Sequence, residues 1–394
     1  MAGIIFALAI CCFAGTARPL PGQNPSLNWV NTNVVRNPFG PAAVKTISPF
    51  AHPNLPFTNA EEWQPPAIPK LVPVPPLVTW IPLNAWAAQH GLSPPRLLSN
   101  QPVITYALES ANGVMELAIG SREATWNGIE IHLGFQPQII DGQLCVYGLD
   151  LQKNLEPLLC DPPLALPQTN GVIVIDPGHG GANVGTHSIL DGHFEKEFTL
   201  DWAERLTPLL EQEGWRVFLT RTSDTYVTND DRVAFAEEHH ADLFISLHFN
   251  SDAPDKKPEG IETYCVTPTG MPSTLTRGYA DPWFARYPNN AYDARNLQLA
   301  VRLEGALLRA TKLEDRGVCR ARFMEVLHEQ QRPAVLVEAG FLSNPSDARQ
   351  IETPEFRQKL AEAVADALRP KSETGGQKPE LGMPESGTDK LSWP

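Results

Sequence analysis

The feature that most restricts the fold is a series of short apolar runs alternating with helical patterns in the second half of the chain. The run at 172–175 is built of β-branched residues, which is typical of a strand covered on both faces. The predicted strands are GVIVID (171–176), WRVFLT (215–220), ADLFISLH (241–248), IETYCV (261–266), ARFMEVL (321–327) and AVLVEAG (334–340). Helices are predicted at 196–212, from Thr228 or Asn229, around 294–310, and from Thr353 with Pro354 in its first turn. This alternation predicts an α/β domain, with a mainly parallel or mixed sheet and helices on both faces.

Polar residues stand at or near the carboxyl ends of these strands, which is where open α/β sheets bind ligands. His179 follows the first strand, His248 ends the third and Glu338 follows the apolar run 334–337 of the last, while Glu195 stands just before the first helix. Two imidazoles and a carboxylate form a common catalytic zinc site that leaves a position for water, and a further carboxylate can act as base. Each residue alone fits a plainer interpretation, because strand-end histidines are often surface residues and a glutamate at a helix start complements the dipole. Their convergence on one sheet edge favours a metal site.

The turn that carries His179 is rich in glycine. Gly178, Gly180 and Gly181 carry no side chain, so we expect a ligand to approach the backbone closely here. The sequence GHGGANVG leads into THSILDG and not into a helix, which argues against a dinucleotide-binding protein.

Charge and the N-terminus limit the partners and the compartment. The formal net charge of −14, without clustered Lys or Arg, argues against a nucleic-acid partner. Residues 1–17, MAGIIFALAICCFAGTA, have the shape of a signal peptide, so we expect export to the periplasm or cell envelope. A lipoprotein signal through Cys11 or Cys12 and a membrane anchor are the alternatives. Four further cysteines either pair in an oxidising compartment or remain free, and they are Cys145, Cys160, Cys265 and Cys319.

The remaining chain divides by composition. Residues 18–76 form a proline-rich linker and 370–394 a polar tail, both expected to be disordered. Residues 77–165 predict a small α+β module with Asn-Gly and Asp-Gly turns. Its segment ATWNGIEIHLGFQPQIIDGQLCVYGLDL resembles the stalk domain at the N-terminus of copper amine oxidases, which recurs in exported cell-wall proteins. That resemblance implies an accessory role, through contact with the wall or with a regulatory protein. His132, which has no partner in the sequence, is interpreted as a solvated residue and not as a metal ligand.

The larger unit, 166–369, carries a second resemblance. VIVIDPGHGGANVG, EKEFTL, LTRTSDTYVTNDDRVAFAEEHHADLFISLHFNSD and PAVLVEAGFLSNPSD are similar to motifs of the zinc-dependent N-acetylmuramoyl-L-alanine amidases, in the same order. The resemblance implies that His179, Glu195 and His248 bind Zn²⁺ and that Glu338 is catalytic. Glu197 stands where the family often has Asp, and it is the second choice of ligand.

The implied reaction is hydrolysis of the amide bond between N-acetylmuramic acid and L-alanine in peptidoglycan, with zinc-activated water and Glu338 as general base. The alternatives are a zinc exopeptidase acting on wall peptides and a non-catalytic wall-binding protein. Asp176 is expected to cap the turn or to orient His179, and Arg221 and Arg232 to brace the fold. We expect a monomer.

A long irregular segment, 266–293, separates a predicted strand from a predicted helix. Segments of this length are usually functional or disordered. Its aromatic and basic side chains suit contact with sugar or peptide, and they are Trp283, Phe284, Arg286 and Tyr287. We interpret it as a substrate lid or as a surface loop.

Overall fold

The structure, a computed structural model, describes residues 79–167, 170–190 and 192–369. The predicted signal peptide (1–17), linker (18–76) and tail (370–394) lie outside the described residues. None of the helices within the described ranges has the length and apolar character needed to cross a membrane.

Fourteen strands lie within the described residues. In chain order they are β1 (Trp80–Pro82), β2 (Arg96–Ser99), β3 (Thr105–Glu109), β4 (Val114–Ala118), β5 (Glu123–Trp126), β6 (Ile129–His132), β7 (Gln138–Ile140), β8 (Gln143–Tyr147), β9 (Val172–Pro177), β10 (Arg216–Leu219), β11 (Leu243–Asn250), β12 (Ile261–Val266), β13 (Asp315–Ala321) and β14 (Ala334–Phe341).

The α-helices connect or follow these strands. They are α1 (Leu83–Gln89), α2 (Gly148–Asp150), α3 (Glu156–Leu159), α4 (Glu195–Gln212), α5 (Asn229–Glu238), α6 (Asp293–Thr311), α7 (Glu325–His328), α8 (Pro345–Ile351) and α9 (Pro354–Ala367). A π-helical segment (Leu151–Leu155) joins α2 to α3, and a 3-10 segment (Pro288–Tyr292) precedes α6. The predicted caps are confirmed, because the Thr228 side chain accepts from the Asp231 amide and that of Thr353 accepts from the Phe356 amide.

Within the described residues, the main sheet has 11 strands in the order β10-β9-β11-β14-β12-β13-β6-β5-β4-β3-β2. Strands β10, β9, β11 and β14 are mutually parallel, whereas β12 runs antiparallel to β14 and parallel to β13. The predicted mixed α/β sheet is therefore confirmed. A separate antiparallel sheet has the order β1-β8-β7.

Helices cover both faces of the central strands, as predicted. On β9, Ile173 and Ile175 pack in the core beneath α4 and α9, whereas Val172 and Val174 pack in the core that includes residues of α5 and α7. Successive side chains of a strand point to opposite faces, so a strand buried on both sides must be apolar throughout. This explains why continuous β-branched runs in the sequence correctly indicated the central strands.

One predicted strand is wrong. The sequence favoured a strand at 321–327, but β13 ends at Ala321 and the apolar residues that follow include the short helix α7. The true strand contains charged residues, among them Arg320, which is 2% exposed and donates to the Asn154 side chain at 3.2 Å. Because the buried Arg320 is satisfied by hydrogen bonds and the first two residues of the strand are charged, the strand lacks the apolar pattern on which the prediction relied.

The region predicted as an accessory module shares the main sheet. Strand β13 pairs in parallel with β6, with Val318 opposite Ile131, and Asp315 accepts a hydrogen bond from the Glu130 amide at 2.8 Å. The described residues all fall in one compact unit. The four cysteines within the described ranges are free: Cys145, Cys160, Cys265 and Cys319.

Candidate metal centre and active site

His179 stands on a rigid turn immediately beyond β9. Its backbone φ is +63°, an uncommon value for a residue with a side chain. The turn is held by buried guanidinium groups, since Arg232 donates to the His179 carbonyl at 2.7 Å and Arg221 donates to the Gly178 carbonyl at 2.8 Å. The expectation that these arginines brace the fold is confirmed, and the backbone they brace is the one that presents His179.

Asp176 acts on this turn through Arg232. Its carboxylate forms an ion pair with Arg232 and accepts from the Thr220 hydroxyl at 2.5 Å and the Ser246 hydroxyl at 2.7 Å. Burial alone would raise the pKa of Asp176, but Arg232 and the hydroxyl donors hold it below its ordinary value. The predicted turn cap is wrong, because no amide of the turn donates to this carboxylate within the described residues; Asp176 bears on His179 only through Arg232.

The direct partner of the His179 ring is Asn183, which the sequence analysis missed. Its side-chain oxygen lies 2.9 Å from His179 Nδ1. An acceptor at Nδ1 fixes the proton on that atom and leaves Nε2 free to bind a metal. The only sequence signal was an asparagine four residues after the histidine, which carries no information without the fold.

Glu195 is the first residue of α4 and lies between the two histidines. Its Oε2 is 3.0 Å from His179 Nε2, and its Oε1 is 2.9 Å from His248 Nδ1. Backbone amides of Thr186 and Phe249 also donate to the carboxylate, at 3.0 Å each. Burial alone would raise the pKa of Glu195, but the two imidazoles lower it well below its ordinary value.

His248 lies on β11, and its ring centroid is 4.8 Å from that of His179. Burial lowers the pKa of His248, whereas Glu195 raises the pKa of His179 against the effect of burial. The glycines of the turn make room for these side chains. A Cβ on Gly178 would lie 2.3 Å from the His248 ring, and one on Gly185 would lie 2.5 Å from Glu195 Oε2.

The other two glycines of the turn face the protein as well. A Cβ on Gly180 would lie 2.1 Å from the Thr225 carbonyl oxygen, and one on Gly181 would lie 2.6 Å from the Tyr226 amide nitrogen. The atoms that approach the backbone at these glycines therefore belong to the protein itself, and not to an external ligand as expected.

Glu338 faces the same edge from the neighbouring strand. It is the register partner of His248 on β11 and of Glu262 on β12. The residue is 9% exposed, and within the described part of the chain no group hydrogen-bonds its buried Oε2. Burial raises the pKa of Glu338 well above its ordinary value, Glu195 and Glu262 add to this, and Arg277 opposes it.

The donor set fits a metal ion. One atom each from His179, Glu195 and His248 lies within 4.8 Å of the others. Two imidazoles and a carboxylate match the three protein ligands of catalytic zinc sites, in which a fourth position takes water or substrate. The hydrogen bond from His179 to Asn183 is of the kind that orients metal-binding histidines.

Two further expectations concern neighbouring residues. Glu197, the second choice of ligand, lies outside this group and contacts His193 Nδ1 at 2.7 Å on the surface. His132 lies 3.2 Å from Glu130 and belongs to no metal-binding group among the described residues. The interpretation of His132 as solvated is wrong, because its side chain is only 16% exposed and its Nδ1 lies 3.4 Å from the Val318 carbonyl oxygen.

The segment 266–293 is organised around Arg322. This buried guanidinium forms an ion pair with Asp281 and donates to the carbonyls of Pro268 at 2.8 Å and Met271 at 2.7 Å. Phe284 is 83% exposed, whereas Tyr287 stacks on His328 with ring centroids 4.0 Å apart. Whether the segment acts as a substrate lid stays a prediction.

Comparison with known proteins identifies relatives of the region that carries this site. Residues 173–370 match the family model described as N-acetylmuramoyl-L-alanine amidase. The uncharacterized protein YqiI of Bacillus subtilis is 31% identical over 205 residues, which cover 52% of this chain and 86% of that protein. The N-acetylmuramoyl-L-alanine amidase LytC of Bacillus subtilis is 32% identical over 51% of this chain, but the match spans only 35% of LytC. A crystal structure of an N-acetylmuramoyl-L-alanine amidase from Clostridium difficile is similar with a TM-score of 0.42 and 30% identity, over 51% of this chain and 95% of that one.

Proposed function

Because the chain belongs to the N-acetylmuramoyl-L-alanine amidase family, we propose that it is a zinc enzyme that hydrolyses the amide bond between N-acetylmuramic acid and L-alanine of peptidoglycan. In this proposal His179, Glu195 and His248 hold Zn²⁺, and Glu338 is the general base.

One observation carries the assignment of roles. Three donors from separate parts of the fold converge within 4.8 Å, and the neighbouring strand presents a buried carboxylate with an oxygen that lacks a partner among the described residues. A buried carboxylate oxygen without a hydrogen bond is costly for a protein, and beside a set of metal donors it is available to a water molecule or substrate.

The residues divide the chemistry between them. When bound, zinc supplies a Lewis acid that polarises the scissile carbonyl, acidifies a water molecule and favours the ionised form of the nearby Glu338 carboxylate. Glu338 accepts the proton of the attacking water and returns it to the departing amine of L-alanine. Asn183 holds the proton on His179 Nδ1, and the two arginines behind the turn keep that ring in place.

We further propose that the protein is exported to the cell envelope and that peptidoglycan is its partner. Strands β2–β6 would contact wall polymer or a regulatory protein beside the catalytic part of the chain.

The metal proposal is tested by zinc content. Purified protein should hold close to one zinc per chain, and His248→Ala should lose it because one donor is gone. Glu197→Ala is the matched control, since that carboxylate lies on the same helix as Glu195 but outside the donor group. Equal zinc content in both variants would contradict the ligand assignment.

The reaction is tested by digestion of purified peptidoglycan. An amidase frees intact stem peptides with L-alanine at their N-termini, whereas an exopeptidase shortens them and a wall-binding protein releases nothing. Mass spectrometry of the soluble fraction distinguishes these outcomes.

A further inference from the structure

Arg277 lies in the segment 266–293 and reaches the wall of the active site. Its guanidinium donates to Asn250 Oδ1 at 2.9 Å. Asn250 is the last residue of β11 and stands two positions beyond His248 on the same strand. The tip of the segment is thereby fastened to a strand that carries a proposed ligand.

The segment presents Arg277 rigidly. Asp281 accepts from the Ser273 amide and hydroxyl at 2.8 Å each and pairs with the buried Arg322. Arg277 itself has a φ of +48°, which a residue with a side chain adopts only when its surroundings enforce it. Its guanidinium carbon lies 5.8 Å from the centre of the Phe323 ring.

The Arg277 guanidinium hydrogen-bonds the side chains of Asn250 and Tyr264, but none of the described carboxylates forms an ion pair with it. Burial would lower the pKa of Arg277, but Tyr264 and the carboxylates of Glu338 and Glu262 raise it. Glu262 is already paired with Arg316 at 2.5 Å, and among the described residues Arg277 forms no ion pair. A guanidinium has several N–H donors in a planar fork, so donors remain for a ligand at the mouth of the site.

We infer that Arg277 binds a carboxylate of the stem peptide and thereby makes the enzyme selective for stems whose second residue carries a free α-carboxylate. The inference rests on the proposed function. The planar guanidinium of Arg277 suits a carboxylate, because the two groups can form parallel charge-assisted hydrogen bonds. A carboxamide at the same place carries no charge and offers only one acceptor oxygen, so it binds less tightly.

Two soluble muropeptides test this, identical except that the α-carboxylate of the second stem residue is free in one and amidated in the other. The wild-type kcat/KM should favour the free acid by about 10- to 100-fold, the range expected for a hydrogen-bonded charge. Arg277→Gln should lose that preference: its kcat/KM on the acid should fall by this factor relative to its kcat/KM on the amide, because the lost charge near Glu338 affects both substrates alike. Arg277→Lys should fall between them, because it keeps the charge without the fork.

Arg309→Gln is the matched control, since it removes an exposed arginine from the last turn of α6. Its preference for the free acid should equal that of the wild type. An equal loss on both substrates in Arg277→Gln would overturn the inference, because it would mean that Arg277 acts on the fold or through Glu338. An unchanged preference would overturn it as well.

A binding measurement separates this inference from the proposed function. The free stem peptide should bind the chelator-treated wild-type protein about 10- to 100-fold more tightly than it binds Arg277→Gln, while the amidated peptide binds both equally. If the loaded enzyme cleaved neither muropeptide, the proposed function would fail, and this titration would still decide the role of Arg277.

Discussion

Gly178→Ala should damage the metal centre without disrupting the backbone conformation. Gly178 has no positive φ in the structure, so alanine can adopt its dihedral angles. The added methyl would lie 2.3 Å from His248 Cε1 and 2.4 Å from His248 Nε2. An ordinary contact begins at 3.4 Å, so the overlap is 3.4 − 2.3 = 1.1 Å.

The imidazole has to move, because the backbone at this position is fixed. The Gly178 amide donates to the Leu247 carbonyl at 3.0 Å, and its own carbonyl accepts from Arg221 at 2.8 Å and Thr199 at 2.9 Å. A displacement of the ring by about 1 Å exceeds the tolerance of about 0.2 Å for metal–ligand distances. We expect zinc to be lost on dialysis, amidase activity to fall by about 100-fold or more, and overpacking to cost about 1–3 kcal/mol of stability.

Zinc analysis after dialysis, thermal unfolding and muropeptide release measure these three effects. Gly305→Ala is the control, because its methyl would lie 2.6 Å from Ile129 Cδ1, in the core between α6 and β6. That variant should lose stability and keep its zinc. If Gly178→Ala retained full zinc and activity, displacement of the His248 ring would not affect metal binding, and the reasoning would be refuted.

Three further predictions follow from particular residues. Glu338→Gln should fold, keep its zinc and lose amidase activity by about 10²–10⁴-fold, the scale of general acid–base catalysis; zinc loss would make Glu338 a ligand. A fragment 166–369 should be insoluble or markedly less stable in urea than the full chain, because removing β6 exposes the edge of β13; wild-type stability would show that the shared sheet contributes nothing. Burial raises the pKa of Asp150 from 3.8 to about 6, so the folded protein binds more protons than the unfolded chain in that range. The contribution of Asp150 to stability should therefore fall by about 3 kcal/mol as pH rises from about 4 to 6, and denaturant titrations should show Asp150→Asn differing from the wild type by this decline.

The sequence placed the principal polar residues at one sheet edge for a physical reason. Buried parallel strands are apolar and end abruptly, so their ends can be located, and the carboxyl ends of parallel strands meet at one edge. His179, His248 and Glu338 were located in this way, and the structure brings them to the same place. Glu195 was picked with them from its place before the first helix, and the family resemblance supported it over Glu197, which fits a helix start equally well.

What sequence reasoning missed lies in contacts between distant segments. Asp176 and Arg232 are 56 positions apart, and nothing local indicates that their pairing supports the His179 carbonyl. The glycines of the turn suggested an external ligand, but the close atoms belong to the protein, including the His248 ring. Strand β13 was missed because charged residues, among them the buried Arg320, interrupt the apolar pattern, and a buried arginine is recognisable only when its hydrogen-bond partners are known.

The shared sheet fixes the distance between the active-site strand and the far edge of the N-terminal strands. Seven strand-to-strand steps separate β14, which carries Glu338, from β2 at the end of the sheet. At about 4.8 Å per step, those strands lie about 34 Å apart along the sheet. Since hydrogen-bonded strands continue without a break from β14 to β2, the two ends of this stretch keep a fixed separation and orientation.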